Sequence, residues 1–286
     1  MTTHDRRLHA IRPDLADASL AGAVTAERFV EGLPARVRAP VVDVLSAPSP
    51  AAGLDTQFLR GDDVLVFEER DGFAWVQGSR DGYVGYVSAA ALSGEMDPLT
   101  HVVAAPRSFL YAEPDMKRPR AGEISLGARV GVTERAETRG TRYARLDTGE
   151  WMIERHLAAL DGEKPDFVAM AEMLLRTPYL WGGASAHGID CSGLVQLSLR
   201  MAGRSVLRDT DMQEATLGEP VNPGENFREL RRGDLVFWRG HVGIMAGAET
   251  LIHANGHTMD VALEPLAEAV GRIGYLYGGP TAFRRI

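Results

Sequence analysis

The sequence predicts a multidomain chain, with two small all-β barrels followed by an α+β domain. Three observations carry this. Residues 37–92 are short runs of β-forming residues separated by turn dipeptides. The same texture returns further on, Gly127 following Gly61 by 66 residues and Leu160 following Leu92 by 68. After Pro165 the apolar residues recur first at helical spacing and then in strand-like runs.

Length and charge bound the reading. The 286 residues leave room for two or three domains and a sizeable core without cross-links. Thirty-one basic against 39 acidic residues give a net charge of −8, which argues against nucleic acid or an anionic membrane as the main partner. No apolar h-region follows Met1, since Asp14, Asp17 and Gly22 interrupt the first stretch, and no run is long enough to span a membrane. With Met1 as the native start, the expected location is the cytoplasm.

Residues 1–36 read as an arm, with a short helix around Pro13, Leu15, Ala18 and Leu20, lying along a neighbouring domain. A first β domain is expected over 37–95. Its strands are Val41–Leu45, Val64–Phe67, Phe73–Val76 and Tyr83–Val87, with Asp71-Gly72 and Asp81-Gly82 as hairpin turns. Glu68, Glu69 and Asp71 read as a solvated turn. A second β domain, over 100–161, repeats the first; a duplicated module and two unrelated small β domains both fit. In the α+β domain, 162–286, Phe167, Met170, Ala171, Leu174 and Leu175 mark one helix. Leu194, Leu197 and Met201 mark a second, from Cys191 to Ala202. Strands are expected at Asp234–Trp238, His241–Ala246 and Thr250–Ala254, with a last one near Ile273–Tyr277.

Cys191 is the single cysteine, so no disulfide within the chain and no multi-thiolate metal site is available. It is either a small buried hydrophobe or a reactive thiol. Its place at the start of the second helix favours a thiolate, because unpaired N–H groups and the positive end of the dipole lie there. Gly193 lets another segment approach that turn. A nucleophile needs a base and the base an orienting group. His241 and His253 lie twelve residues apart on successive strands, where antiparallel pairing sets them on one face. His241 would take the thiol proton and His253 would orient its ring. Tyr179, in the Gly-rich run before Cys191, is placed to donate to an oxyanion. Trp181 reads as packing against the helix pair, and His187 as a surface loop residue.

Tyr179-x-Trp181-Gly182-Gly183, Asp190-Cys191-Ser192-Gly193, Arg232-Gly233-Asp234-Leu235, His241-Val242-Gly243-Ile244 and Ile252-His253-Ala254 resemble, in order, the motifs of the NlpC/p60 cysteine peptidases. The likeness covers roughly residues 165–280 and implies a papain-like fold. It also implies Cys191 as nucleophile, His241 as base, His253 as third residue and Tyr179 at the oxyanion site, with no cofactor and no metal. The two β domains resemble bacterial SH3-like domains. The whole architecture is similar to the YkfC-type γ-D-glutamyl-L-diamino acid endopeptidases of murein peptide recycling. Those enzymes cut peptides with a free N-terminal L-Ala, so a murein peptide is the implied partner. The resemblance then implies a carboxylate for the free amine at Asp209, with Thr210 where a Ser is usual. Substrate contacts are implied at Asp190 and Ser192, along with a pocket-closing Tyr83 from the first SH3-like domain; Asp55 and Asp62 are undivided candidates for an acidic partner. Two other readings compete: an SH3-like binding scaffold with a vestigial peptidase domain, and an acyltransferase on the same scaffold.

Overall fold

The computed structural model describes residues 4–286, which divide into two compact units, the first ending at Gly162 and the second spanning Glu163–Ile286. In the first unit the arm lies on the first β domain. Leu15–Asp17 pairs in parallel with Arg28–Val30, and the expected helix is a single 3-10 turn, Ala18–Leu20. The Asp17 carboxylate caps this turn by accepting the Ser19 N–H. Ala10 and Leu15 are buried with Phe67 and Trp75, and the Arg12 guanidinium sits 4.4 Å over the Trp75 ring. Arg12 also pairs with Glu68 at 2.6 Å, so Glu68 tethers the arm and is not part of a solvated turn.

Seven strands follow: β1 (Leu33–Val37), β2 (Val41–Leu45), β3 (Leu54–Leu59), β4 (Asp63–Arg70), β5 (Phe73–Gly78), β6 (Val84–Ser88) and β7 (Leu92–Ser93). They form one sheet in the order β3-β2-β6-β5-β4-β1-β7. It starts ahead of residue 37 because Ala35 and Val37 bury their side chains in the core with Val42, Val64 and Val76. The β4–β5 turn has both Asp71 (φ 53°) and Gly72 (φ 81°) in the left-handed region, as a type I′ hairpin requires.

The remaining strands of this unit are β8 (His101–Val103), β9 (Arg107–Tyr111), β10 (Arg120–Ser125), β11 (Arg129–Val130), β12 (Val132–Thr138), β13 (Thr141–Leu146), β14 (Trp151–Ile153) and β15 (Leu157–Ala159). Their pairings repeat those of the first set across a three-stranded and a five-stranded sheet, β11 and β12 together standing in the place of β4. β8 joins β11 and β15 as β1 joins β4 and β7, and β9 joins β10 and β14 as β2 joins β3 and β6. The ladders β12–β13–β14 then answer β4–β5–β6. The joint between the two sets is the repeated turn itself. Arg129 N–H donates to the Arg60 carbonyl (2.8 Å) and its Nη2 to the Gly61 carbonyl (2.6 Å). A Cβ on Gly61, which has φ 84°, would strike the Arg129 carbonyl oxygen.

The second unit carries three helices, α1 (Phe167–Met173), α2 (Cys191–Met201) and α3 (Thr210–Thr216), ahead of its main sheet. That sheet contains β16 (Glu219–Pro220), β17 (Leu235–Trp238), β18 (His241–Met245), β19 (Thr250–Asn255), β20 (Asp260–Pro265) and β21 (Ala282–Arg285). All its pairs are antiparallel, in the order β16-β21-β17-β18-β19-β20. The expected strand near Ile273–Tyr277 is instead the end of a helix, α4 (Leu266–Tyr277). Leu266, Ala269 and Ile273, at helical spacing, bury themselves on Val236, Trp238, Met245 and Leu251. Tyr275 and Tyr277, whose aromatic character mimics a strand, stand exposed.

Candidate active site

Asp190 caps α2 with its own side chain, accepting the Gly193 N–H at 2.7 Å. The same carboxylate accepts the Gly182 N–H (3.0 Å) and both guanidinium nitrogens of Arg208 (2.6 and 3.0 Å). Arg208 is only 1% exposed and also donates to the Ser192 hydroxyl at 2.7 Å. An ionised carboxylate offers about four acceptor positions. Asp190, expected as a substrate contact, therefore has its oxygens on protein groups, and its work is to fix the helix start. A Cβ on Gly193 would collide with the Gly183 carbonyl oxygen, so the glycine brings the Gly-rich loop onto this turn.

The thiol of Cys191 is buried, with Sγ 3.9 Å from Thr210 Oγ1 and the Val242 backbone N–H bonded to it. Burial, reinforced by the Asp190 charge, pushes its pKa up to about 11. The Val242 N–H, the Thr210 hydroxyl and Arg208 pull the other way and lose. The expectation of a thiolate stabilised by the helix end gives way here: desolvation outweighs it, and the resting group is a neutral thiol. Attack then requires a base.

The base lies across the sheet. β18 pairs with β19 through Ile244↔Ile252 and Met245↔Leu251, which sets His241 on a diagonal to His253 on the same face. His241 Nε2 is 2.8 Å from His253 Nδ1, the rings meeting edge to face at 68° with centroids 5.0 Å apart. The Trp238 ring, whose residue pairs with His241 in the ladder, lies 5.7 Å from that imidazole. Burial first, then the electrostatic influence of the neighbouring His253 and the positive charge of Arg272, lower the His241 pKa to about 3 against the opposing pull of Glu264. At neutral pH His241 is thus an uncharged imidazole with Nε2 engaged and Nδ1 open to accept a proton. His253 is wholly buried, and its Nε2 lies 2.6 Å from Glu264 Oε1, with the N–H direction off the ideal line. Arg272 holds the same carboxylate from α4. His253 foremost, with the nearby positive charge of Arg272, keeps Glu264 below the usual carboxylate range. The sequence reading missed Arg208, Glu264 and Arg272.

Tyr179 is tied by its N–H to the Met259 carbonyl (2.9 Å) and bridges in parallel to Ile189, two residues before the nucleophile. Burial and the neighbouring Cys191 and Asp190 raise its phenol well above the ordinary value, so it stays protonated as a donor. Trp181 is 74% exposed on the loop, which corrects the packing role expected of it. Thr210 is buried at the first position of α3, Asp209 is its half-buried N-cap, and Ser192 is buried beside Arg208. These residues come together in the second unit. Tyr83 belongs to the first, buried in the β5–β6 turn with its N–H on Asp81 Oδ1 at 3.1 Å.

A buried thiol at a helix start, an imidazole pair and a protonated phenol form a site for nucleophilic acyl transfer. Residues 176–271 match the NlpC/P60 family, and residues 44–92 match the family described as the bacterial dipeptidyl-peptidase Sh3 domain. The chain carries an NlpC/P60 domain, of the cysteine peptidase class of hydrolases, preceded by a bacterial SH3 domain.

Among particular relatives, it is 25% identical to dipeptidyl-peptidase 6 of Lysinibacillus sphaericus over 81% of this chain and 91% of that protein. It is 27% identical to the γ-D-glutamyl-L-lysine dipeptidyl-peptidase of Bacillus subtilis (strain 168), over 76% of this chain and 77% of that one. A solved NlpC/P60 family protein from Bacillus cereus ATCC 10987 shares the fold, with a TM-score of 0.73 and 21% identity over 88% of this chain and 99% of that one. The likenesses support a peptidase, not a scaffold with a vestigial domain.

Proposed function

We propose that the chain is a cysteine peptidase that hydrolyses the γ-D-glutamyl–diamino acid bond of murein peptides bearing a free N-terminal L-Ala. The observation that carries this is the juxtaposition of the α2 thiol with the His241–His253 pair, in a chain alike over most of its length to dipeptidyl-peptidases. In this reading Cys191 Sγ attacks the γ-D-Glu carbonyl carbon as its proton passes to His241 Nδ1. Tyr179 donates to the oxyanion. The proton then goes from His241 to the departing amine, leaving a thioester on Cys191. Water, deprotonated by His241, attacks that thioester; L-Ala-γ-D-Glu leaves and the thiol regains its proton.

The free amine is assigned to Asp209, beside Thr210, since a carboxylate makes the stronger, charge-assisted hydrogen bond. Ser192 completes the proposed substrate contacts within the second unit. Strands β8–β15, with their matched pairings, are read as a second SH3-like domain. A cytoplasmic role in wall-peptide recycling fits a lone thiol that must remain reduced.

The test is to incubate the protein with L-Ala-γ-D-Glu-meso-diaminopimelate, its L-lysine counterpart and both N-acetylated forms, following products by mass spectrometry. Cleavage of the free-amine peptides alone is expected, and Cys191→Ala loses about 10⁴-fold or more in kcat. Equal cleavage of the acetylated peptides sinks the amine requirement, and no cleavage of any sinks the peptidase reading.

A further inference from the structure

The geometry points to Glu264, clamped by Arg272, as a positioning residue that sets the tautomers of both histidines, so that His241 presents a bare Nδ1 as the base. This rests on the peptidase reading of the preceding section and adds to it two residues that none of the motifs contains.

The placement follows from register. Leu251 pairs with Glu264 and His253 with Ala262, so Glu264 sits on the diagonal from His253 as His253 does from His241. Three adjacent strands thus carry His241, His253 and Glu264 in one oblique row on one face. Arg272, one helical turn before the end of α4, closes the row by holding the Glu264 carboxylate. Its side chain is about a quarter exposed, so it neutralises the carboxylate without sealing the row from solvent.

With His253 uncharged, proton counting along the row gives one consistent assignment. An ionised carboxylate only accepts. Glu264 therefore takes the proton side of His253 Nε2, and neutral His253 turns its Nδ1 lone pair to His241. The 2.8 Å contact must then be a donation from His241 Nε2–H, leaving His241 Nδ1 unprotonated. When His241 Nδ1 receives the thiol proton, the new positive charge is stabilised through His253 by Glu264. Without the carboxylate, His253 is free to carry its proton on Nδ1 instead, which would face His241 Nε2 and force the proton onto the wrong nitrogen. The charged and titratable groups around the pair are Glu264 on β20 and Arg272 on α4. Beyond Val242 lie the Cys191 thiol, with Asp190 and Arg208 behind it.

The test compares wild type, Glu264→Gln and Glu264→Ala. Glu264→Gln keeps the shape and an acceptor oxygen and removes the charge. The readouts are pH profiles of kcat and kcat/KM on L-Ala-γ-D-Glu-L-Lys and ¹⁵N imidazole NMR of the resting proteins. Expected is a fall in kcat of about 10- to 100-fold with KM nearly unchanged, below the loss from a triad carboxylate because one imidazole intervenes. The acid limb moves to lower pH, since the charge that favours imidazolium is gone. By NMR, wild type is expected to carry protons on Nε2 of both histidines, and Glu264→Ala to populate the Nδ1–H form of His253. Glu264→Gln with a wild-type plateau and acid limb overturns the inference, as does a protonated Nδ1 on either histidine in the resting wild type. Should wild type fail to turn over any peptide, the peptidase reading falls while the NMR pattern still decides this one.

Discussion

At the start of α2, Arg208 grips Asp190 through both guanidinium nitrogens and is itself almost wholly buried. Across the sheet, Arg272 reaches a single oxygen of Glu264 from a partly exposed helix turn. An arginine–carboxylate pair therefore serves each end of the site, in a different way at each. The first pair organises backbone: the carboxylate holds the Gly182 and Gly193 N–H groups and so fixes where the thiol stands. The second touches no such loop, and its carboxylate faces the His253 ring. Burial of a charge pair is costly, and retaining one is rational where geometry must be fixed. A partly exposed pair suits a group whose charge must be felt but not locked.

This contrast is most directly broken by Arg208→Met, which leaves a buried carboxylate unpaired. A loss of about 3–5 kcal/mol in urea denaturation is expected, and a loss below 1 kcal/mol would remove the structural role given to the pair. Next in size is thiol reactivity. With Cys191 raised to about 11 from an ordinary 9, alkylation by iodoacetamide at pH 7 should run about 100-fold slower than for an exposed thiol, and should still be rising at pH 10. A plateau near pH 7 would mean a resting ion pair.

The histidine end predicts a pH-dependent stability. His241 is ordinary in the unfolded chain, near 6.5, and lowered to about 3 when folded. Between those values the unfolded state binds the extra proton. Its stabilising share is therefore complete above about 6.5 and shrinks as pH falls toward 3. His241→Gln should flatten that part of the urea-midpoint profile. Smallest of all, Arg272→Gln should change stability by under about 1 kcal/mol, as expected for a partly exposed pair. Because Arg272 lowers the His241 pKa, its removal should move the acid limb of kcat/KM upward, opposite in sign to Glu264→Gln.

The two ends also differ in how far the sequence disclosed them. The α2 start is legible: Asp190 reads as a cap, Gly193 as a close approach, and the apolar spacing runs on to Met201. The histidine strands are legible from two short β runs with a turn between. Beyond them the pattern fails for a physical reason. Asp260-Val-Ala-Leu-Glu-Pro lacks a full alternation, yet it forms β20 because β19 offers it an edge. Ile-Gly-Tyr-Leu-Tyr has strand-like side chains, yet α4 wins because Leu266, Ala269 and Ile273 share one buried stripe. With β20 unseen and α4 read as a strand, nothing brought Glu264 or Arg272 near His253. Arg208 was hidden differently, since a buried arginine is legible only once its carboxylate partner is placed.

The joint at Gly61 bears on how the first unit comes apart. The second strand set donates to the first through Arg129, once from its backbone N–H and once from its guanidinium, at the turn that both sets repeat, and the glycine leaves no gap there for a side chain. Loosening one set exposes the seam of the other. Their melting should therefore register in calorimetry as one cooperative transition for the pair, and a bulky residue at position 61 should split it into two.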